Sequence, residues 1–424
     1  MKKIDLFYLH YVIYINLSPH YTILKMNSQI QFTVNTASAQ NVQHKNYTKE
    51  VSYEILNYDP ANVTPETGIY RSIVVNPDTK EVFSFAPPKS TTLSEFAEKF
   101  PSIEDSRFQM NEIIEGTMVN LFYDSRISKW EIATKGAIGG NYWYYRNSYD
   151  GDNKPQLTFR EMFLESLGYD RNTDFAHVEL FSHFICDHVY SFVIQHPDNH
   201  IVLNIQEPKA FLVCVFRKLS PDSLQMVPLE VVKGLAVFRQ SCIKFPKSID
   251  SDKKYDILSY EDANYIHPGY MILDQETGIR TKIENPNYVK LKTIRGNNPN
   301  LLYHYLCFTQ AEQCIQFLEH FPMYRHMFDL FQKQVNTFIR HVHDAYVLYY
   351  VQKRGKQIRI PKHIMPHIWK LHFEIHLPSI QEGRKQIITK DVVRNYFEKM
   401  LPKEKWYYLN QCGNYNVAEE CVGN

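Results

Sequence analysis

The spacing of apolar residues changes once along this chain, near Pro299, and that change limits what it can fold into. Ahead of it, apolar and polar residues alternate in short runs such as TMVNLFYD, KWEIAT, IYRSIVVN and KEVFSFAP, broken by Pro, Gly, Asn and Asp. A period of two sends successive side chains to opposite faces of a strand. Beyond Pro299 the period is about 3.6, which predicts helices over 301–321, 324–349, 361–371 and 390–400. Pro322, Gly355, Pro378 and Pro402 separate them. The expected fold class is α+β: an antiparallel-sheet domain over 51–298, then an all-α domain over 299–424. Residues 1–50 read as an N-terminal extension, partly disordered, with one short strand at 30–34. A chain of 424 residues exceeds what one core supports.

Composition narrows the function classes. The formal net charge is +1, so no global field draws the chain to nucleic acid and any attraction is a local patch. The 30 Tyr and 26 Phe serve base stacking or sheet cores equally well. Seven scattered cysteines contain no CxxC step. Cys186, Cys214, Cys307 and Cys314 lie in apolar runs and read as buried thiols, which places the protein in a reducing, intracellular setting, cytoplasmic or in a virion. The N-terminus pairs Lys2-Lys3 with an apolar run that Asp5 and His10 interrupt. It is too short to span a bilayer and no small-residue cleavage site follows, so no membrane partner is expected. Met26 is read as the effective start.

Residues 111–146 are the stretch most open to a chemical reading. TMVNLFYD and KWEIAT flank a polar turn at 124–128 and predict a β-hairpin. Glu115-Gly116 enters its first strand and Thr134-Lys135-Gly136 leaves its second. Gly lets backbone approach a ligand closely and a neighbouring Lys supplies positive charge. The residues alone leave two readings open: a hairpin that holds a nucleotide, or one whose glycines serve turns.

This stretch resembles the adenylation core of the phage-type RNA ligases, within the covalent nucleotidyltransferase superfamily, in a divergent form like those of large DNA viruses. The family's Lys-x-Asp-Gly falls on Ile113, Ile114, Glu115 and Gly116, and its Ser-Lys-Gly on Thr134, Lys135 and Gly136. A preceding strand Arg matches Arg71. Its third motif, Phe-Glu-x-x-x-Pro-x-Asn-Arg-Ile-Val, is similar to Phe192, Pro197, Asn199, Ile201 and Val202, with Val193 in place of the Glu and His200 in place of the Arg. Its Glu-Gly-Tyr and Lys-x-Lys steps resemble Pro268, Gly269 and Tyr270, then Lys282 and Glu284, followed by Tyr288.

The resemblance implies a nucleotide groove with Arg71, Glu115, Gly116, Lys135, Gly136 and Lys282 at the nucleotide. It implies RNA contacts at Lys290, Lys292 and Arg295, and ATP or another NTP with Mg as cofactor if the protein is active. It also implies that the reacting amine is gone, since a branched alkane at position 113 cannot attack phosphorus. Three functions follow. One is a degenerate ligase binding nucleotide and RNA ends without chemistry. Another is an active RNA ligase using a relocated lysine, with Lys89 in APPKS as possible surrogate nucleophile. The last is an unrelated interaction protein. The lysines at 282, 290 and 292 read equally as the solvated face of a strand. The histidine pairs 363/367 and 372/376 have the i,i+4 spacing of zinc ligands, but Pro366 and the lack of clustered carboxylates argue for no metal site. The basic run Lys353, Arg354, Lys356, Arg359 and Lys362 fits RNA phosphates or a charged loop.

Overall fold

The computed structural model describes residues 30–36, 42–101, 107–144, 156–249, 267–354 and 360–412. Residues 1–29, Arg146, Lys356 and Arg359 lie outside them. The chain forms two compact units: one holds the described residues up to Asn141 with Thr158–His200 and Ile205–Pro286, the other Tyr142–Leu157, Ile201–Asn204 and everything from Asn287 on.

The first unit is antiparallel throughout its named strands. They are β1 (Gln31–Thr33), β2 (Val42–Thr48), β3 (Ser52–Tyr58), β4 (Ile73–Val75), β5 (Val82–Ser84), β6 (Phe108–Glu112), β7 (Thr117–Asp124), β8 (Lys129–Ala133), β9 (His188–Gln195), β10 (Lys209–Ser220), β11 (Ser223–Val227), β12 (Gly269–Asp274) and β13 (Arg280–Glu284). Three sheets result, in the orders β1-β11-β10-β9-β7-β8, β2-β3-β4-β5 and β13-β12-β6. The expected central hairpin forms, pairing Asn120 with Ala133 through Asp124 with Lys129. Its turn is pinned by the buried Asp124, which accepts from Arg126 at 2.7 Å, while that guanidinium lies over the rings of Tyr53 and Phe83. One face of the first sheet packs on the second through Phe122, Val189, Cys214, Phe216 and Leu224 against Ile55, Val74 and Phe83.

Several expectations are corrected. The stretch read as loose with one strand carries two, β1 and β2. The meander after His188 loses its middle strand: His196 and Asn199 bridge a tight turn instead, and the chain next forms a strand at Lys209. Residues 286–295 are a helix, Pro286–Arg295, not a strand. Pro at the first helical position suits that start, because its missing N–H has no helical partner to lose. The helix expected over 301–321 is two, Leu301–Cys307 and Ala311–His320, because the Gln313 side chain accepts from the Thr309 and Gln310 amides and starts a new helix there. Of the four thiols read as buried, Cys214 is, while Cys186 and Cys307 are exposed.

The second unit is helical. Its core gathers Phe317, Phe321, Phe331, Phe338 and Val342 around the long helix Arg325–Tyr346. That helix runs on into a wide π turn, Val347–Val351, and Met365–Lys370 likewise runs into a π turn, Leu371–His376.

Candidate functional site

Strand alternation in the three-stranded sheet separates a core face from a free one. Phe108, Met110 and Ile272 face Phe96 and Phe100, from the helix Leu93–Lys99 and its C-cap. The opposite face carries Ile113, Gly269, Met271, Arg280, Lys282 and Glu284. The Ile113 amide donates to the Gly269 carbonyl at 2.9 Å, and Gly269 pairs with Glu284. Ile113 and Glu284 therefore flank Gly269 in one row. These are two of the positions where the resembled family places lysines, and this chain has a lysine at neither.

The glycines of these motifs have separate physical reasons. A Cβ on Gly269 (φ 133°) would stand 2.1 Å from the Ile283 carbonyl oxygen, and one on Gly116 (φ 155°) 2.2 Å from that of Ile194 and 2.9 Å from Val193 Cγ1. Both positions exclude any side chain, whether or not a ligand binds. Gly136 differs, since an added Cβ there meets open space. Its carbonyl instead accepts from Lys45 Nζ at 2.9 Å and Tyr47 Oη at 3.2 Å. Glu115 is buried, and its carbonyl accepts from Gln195 Nε2 at 3.0 Å.

A network of neutral side chains draws the cations together. Asn57 accepts from the Ser72 amide at 3.0 Å and donates to the Lys135 carbonyl at 2.9 Å, and Ser72 Oγ donates to the Thr134 carbonyl at 2.6 Å. Arg71 and Lys135 thus lie on tied segments, with Lys135 Nζ 5.1 Å from the centre of the Tyr58 ring. On the other side the Lys89 amide donates to Gly68, and Arg280 clamps the turn that carries Lys89. Its Nε donates to the Pro88 carbonyl at 2.7 Å and its Nη2 to Pro87 at 3.0 Å. Burial pushes the Arg280 guanidinium down to about 9, with the charge of Arg71 adding to the effect. Arg71 is lowered too, chiefly by burial and against the pull of Tyr58. Like charges brought together out of water disfavour one another unless an anion joins them. Among the described residues neither guanidinium has a carboxylate within ion-pair distance.

The candidate lysines differ in their partners. Lys282 Nζ is 2.8 Å from Glu284, a carboxylate where the resemblance expects a second lysine. Lys89 is exposed, and its amine makes no hydrogen bond or ion pair among the described residues. Lys290 and Lys292 are exposed on the helix Pro286–Arg295 of the second unit. Arg295 on the same helix is buried, its guanidinium 5.3 Å from the Tyr324 ring centre. On the first sheet Val193 is buried beside Gly116, next to an internal polar pair in which Ser191 Oγ donates to Asn120 Oδ1 at 2.8 Å.

The Asn57–Ser72 tie was not among the site residues read from the sequence, and Arg280 entered there only as a nearby cation supporting a phosphate-neutralising rim with Lys282, Lys290 and Lys292. Arg280 had a signal, since it shares the alternation parity of Lys282. Asn57 and Ser72 had none, because their bonds join segments far apart in sequence. Among the described residues no three His, Cys, Asp or Glu side chains converge as a metal site, and no helix is long and apolar enough to cross a membrane.

No family model matches the chain. In sequence it is similar to an RNA ligase of Rhodothermus phage RM378, 24% identical over 211 residues. That match covers 43% of this chain and 45% of the relative, so it spans about half of each. Among solved structures it is similar to a putative ATP-dependent DNA ligase from Aquifex aeolicus (12% identity, TM-score 0.39, 82% of this chain and 78% of that one). An archaeal ATP-dependent RNA ligase is similar at 14% identity and TM-score 0.38, over 82% and 78% of the two chains. A Naegleria gruberi RNA ligase with AMP and Mn is similar at 8% identity and TM-score 0.34, over 49% and 57%.

Proposed function

We propose that this RNA ligase-like chain holds the phosphates of a nucleotide or an RNA end without forming a lysine–nucleotide bond. The observation that carries the reading is Ile113 beside Gly269 and Glu284 in one row of the free sheet face. An amine is needed there to attack phosphorus, and the side chain has none. A divalent metal, whether Mg with ATP or the Mn of the Naegleria gruberi protein, does not fit the donor set: Val193 and Pro268 stand at the positions where the resemblance puts carboxylates. Phosphate oxygens do fit. Arg71 and Arg280 are partly desolvated and have no carboxylate within ion-pair distance among the described residues. A guanidinium such as that of Arg71 takes phosphate in bidentate geometry, while Arg280, with Nε and Nη2 on the Pro88 and Pro87 carbonyls, adds its charge. Lys89, Lys135 and Lys282 add charge around them.

The ligand is ATP, another NTP or a 5′-phosphorylated RNA end. The exposed Lys290 and Lys292 suit contacts to a strand's phosphates, whereas Arg295 packs inside its helical unit. The reading goes with an intracellular compartment where such ligands occur. Calorimetric titration with ATP and with a 5′-phosphorylated RNA oligomer, both in EDTA, tests it. Binding that falls about tenfold in Arg71→Ala, the loss of one charge-assisted hydrogen bond, supports the reading. Absent binding, or binding indifferent to Arg71→Ala and Arg280→Met, refutes it.

The exposed amine of Lys89, with no hydrogen bond or ion pair among the described residues, favours a second reading, ATP-dependent RNA end joining with Lys89 as nucleophile. An alkali-stable nucleotide adduct that is lost in Lys89→Ala would establish it over the first.

A further inference from the structure

The second unit contains a cleft that the groove chemistry does not use, with a volume of about 760 Å³. Its walls come from the end of the long helix, from residues 371–376 and from the first turn of the helix Lys390–Glu398. Aromatic and imidazole rings form one side. His372 lies on Tyr350 with ring centres 3.8 Å apart and planes 12° from parallel, and His376 follows His372 at 5.4 Å and 27°. Tyr346 Oη, 3.2 Å from His372 Nδ1, fixes the middle ring.

Three features distinguish this cleft from a gap in a core. First, both segments that supply the rings are π turns, Val347–Val351 and Leu371–His376. Such turns are rare, and they occur frequently at functional sites. Second, its mouth leaves large apolar side chains in water, with Val351 63% and Ile387 73% exposed. Third, a cation stands in its lining: Lys390 is exposed there, and the exposed Lys353 and Arg354 come two and three residues after Val351, the last residue of the first π turn. Asp391, the one acid in the lining, sits in the first turn of its helix, where the helix dipole favours a carboxylate. A metal is a poor occupant, because the imidazoles have no third ligand among the described residues. Burial, with His376 nearby, also holds the His372 ring below its ordinary pKa, so the middle ring of the column is neutral at pH 7.

We propose that this cleft takes a nucleobase stacked on the Tyr350–His372–His376 column, with its phosphate at Lys390. Base stacking on aromatic rings beside cations is how single strands are held without sequence preference. The inference rests on the proposed function for its ligand class and not for its location.

The test uses the full chain carrying Arg71→Ala to weaken the groove. Its probes are AMP and a fluorescent single-stranded RNA hexamer. His372→Ala removes the middle ring and Ile387→Glu puts a carboxylate in the mouth from an exposed position. Leu401→Glu makes the same charge change at another exposed position, 67% accessible and outside the lining. The first two variants are expected to weaken binding about tenfold, one stacked base's worth, and Leu401→Glu to leave it unchanged. Loss for both probes means a free nucleotide suffices, and loss for the hexamer alone means the base is held within a strand; either supports the inference. If His372→Ala does not fold, Ile387→Glu decides. Wild-type binding by the cleft variants overturns the inference. In that case an affinity loss from Arg71→Ala alone would leave the groove reading standing.

Discussion

Gly269 and Gly136 look alike in the sequence motifs but are predicted to respond oppositely to a methyl group. In Gly269→Ala the new Cβ would lie 2.1 Å from the Ile283 carbonyl oxygen and 2.9 Å from Glu284 Cα, both backbone atoms that no rotamer change can move. The residue would also keep φ at 133°, where an L side chain is strained by about 1–3 kcal/mol. Relieving the clash by moving β13 costs about another 1–3 kcal/mol, as for other overpacked sites. Together these give about 4 kcal/mol, or a fall in Tm on the order of 10 °C for a unit of this size. Gly136→Ala meets nothing within 4 Å and should stay within about 0.5 kcal/mol of wild type. Urea and thermal unfolding of the two variants in parallel measure the difference. Equal damage from both, or an unchanged curve for Gly269→Ala, would refute the view that backbone packing holds Gly269 in place.

Burial holds the His367 imidazole down at about 4, against 6.5 in an exposed chain. As pH falls below 6.5 the unfolded chain takes up a proton that the folded one refuses until about 4. Stability is therefore lost across that window, by up to about 3 kcal/mol for this group. His367→Gln should flatten the pH dependence of the urea midpoint between pH 7 and 5; parallel slopes would contradict it. Arg280→Met should release the Pro87–Pro88 turn and quicken proteolysis at Lys89, visible as a new early fragment; an unchanged digestion pattern would count against the clamp. Burial pushes the Cys214 thiol up to about 12. Mass mapping after a short alkylation of native protein should find Cys242 modified and Cys214 intact, and equal labelling would show that the first sheet opens.

The strands of the central hairpin were legible because their signal is local: alternation in TMVNLFYD and KWEIAT. Residues 286–292 misled because YVKLK alternates like a strand, while Pro286 starts a helix there. β2 was missed because VQHKNYT is polar; it is held as a ladder against β3 rather than by burial of its own side chains. At the candidate site, motif order located Ile113, Gly116, Gly269 and Lys282. Arg280's clamp on Pro87 and Pro88 joins residues nearly two hundred positions apart, and no local pattern announces it.

Incubation with α-labelled ATP, once with Mg or Mn and once in EDTA, addresses the groove most directly. The account predicts reversible, Arg71-dependent binding that persists in EDTA and no alkali-stable label on the protein under either condition. A covalent label on any lysine, or binding that vanishes when the divalent ion is removed, would contradict it.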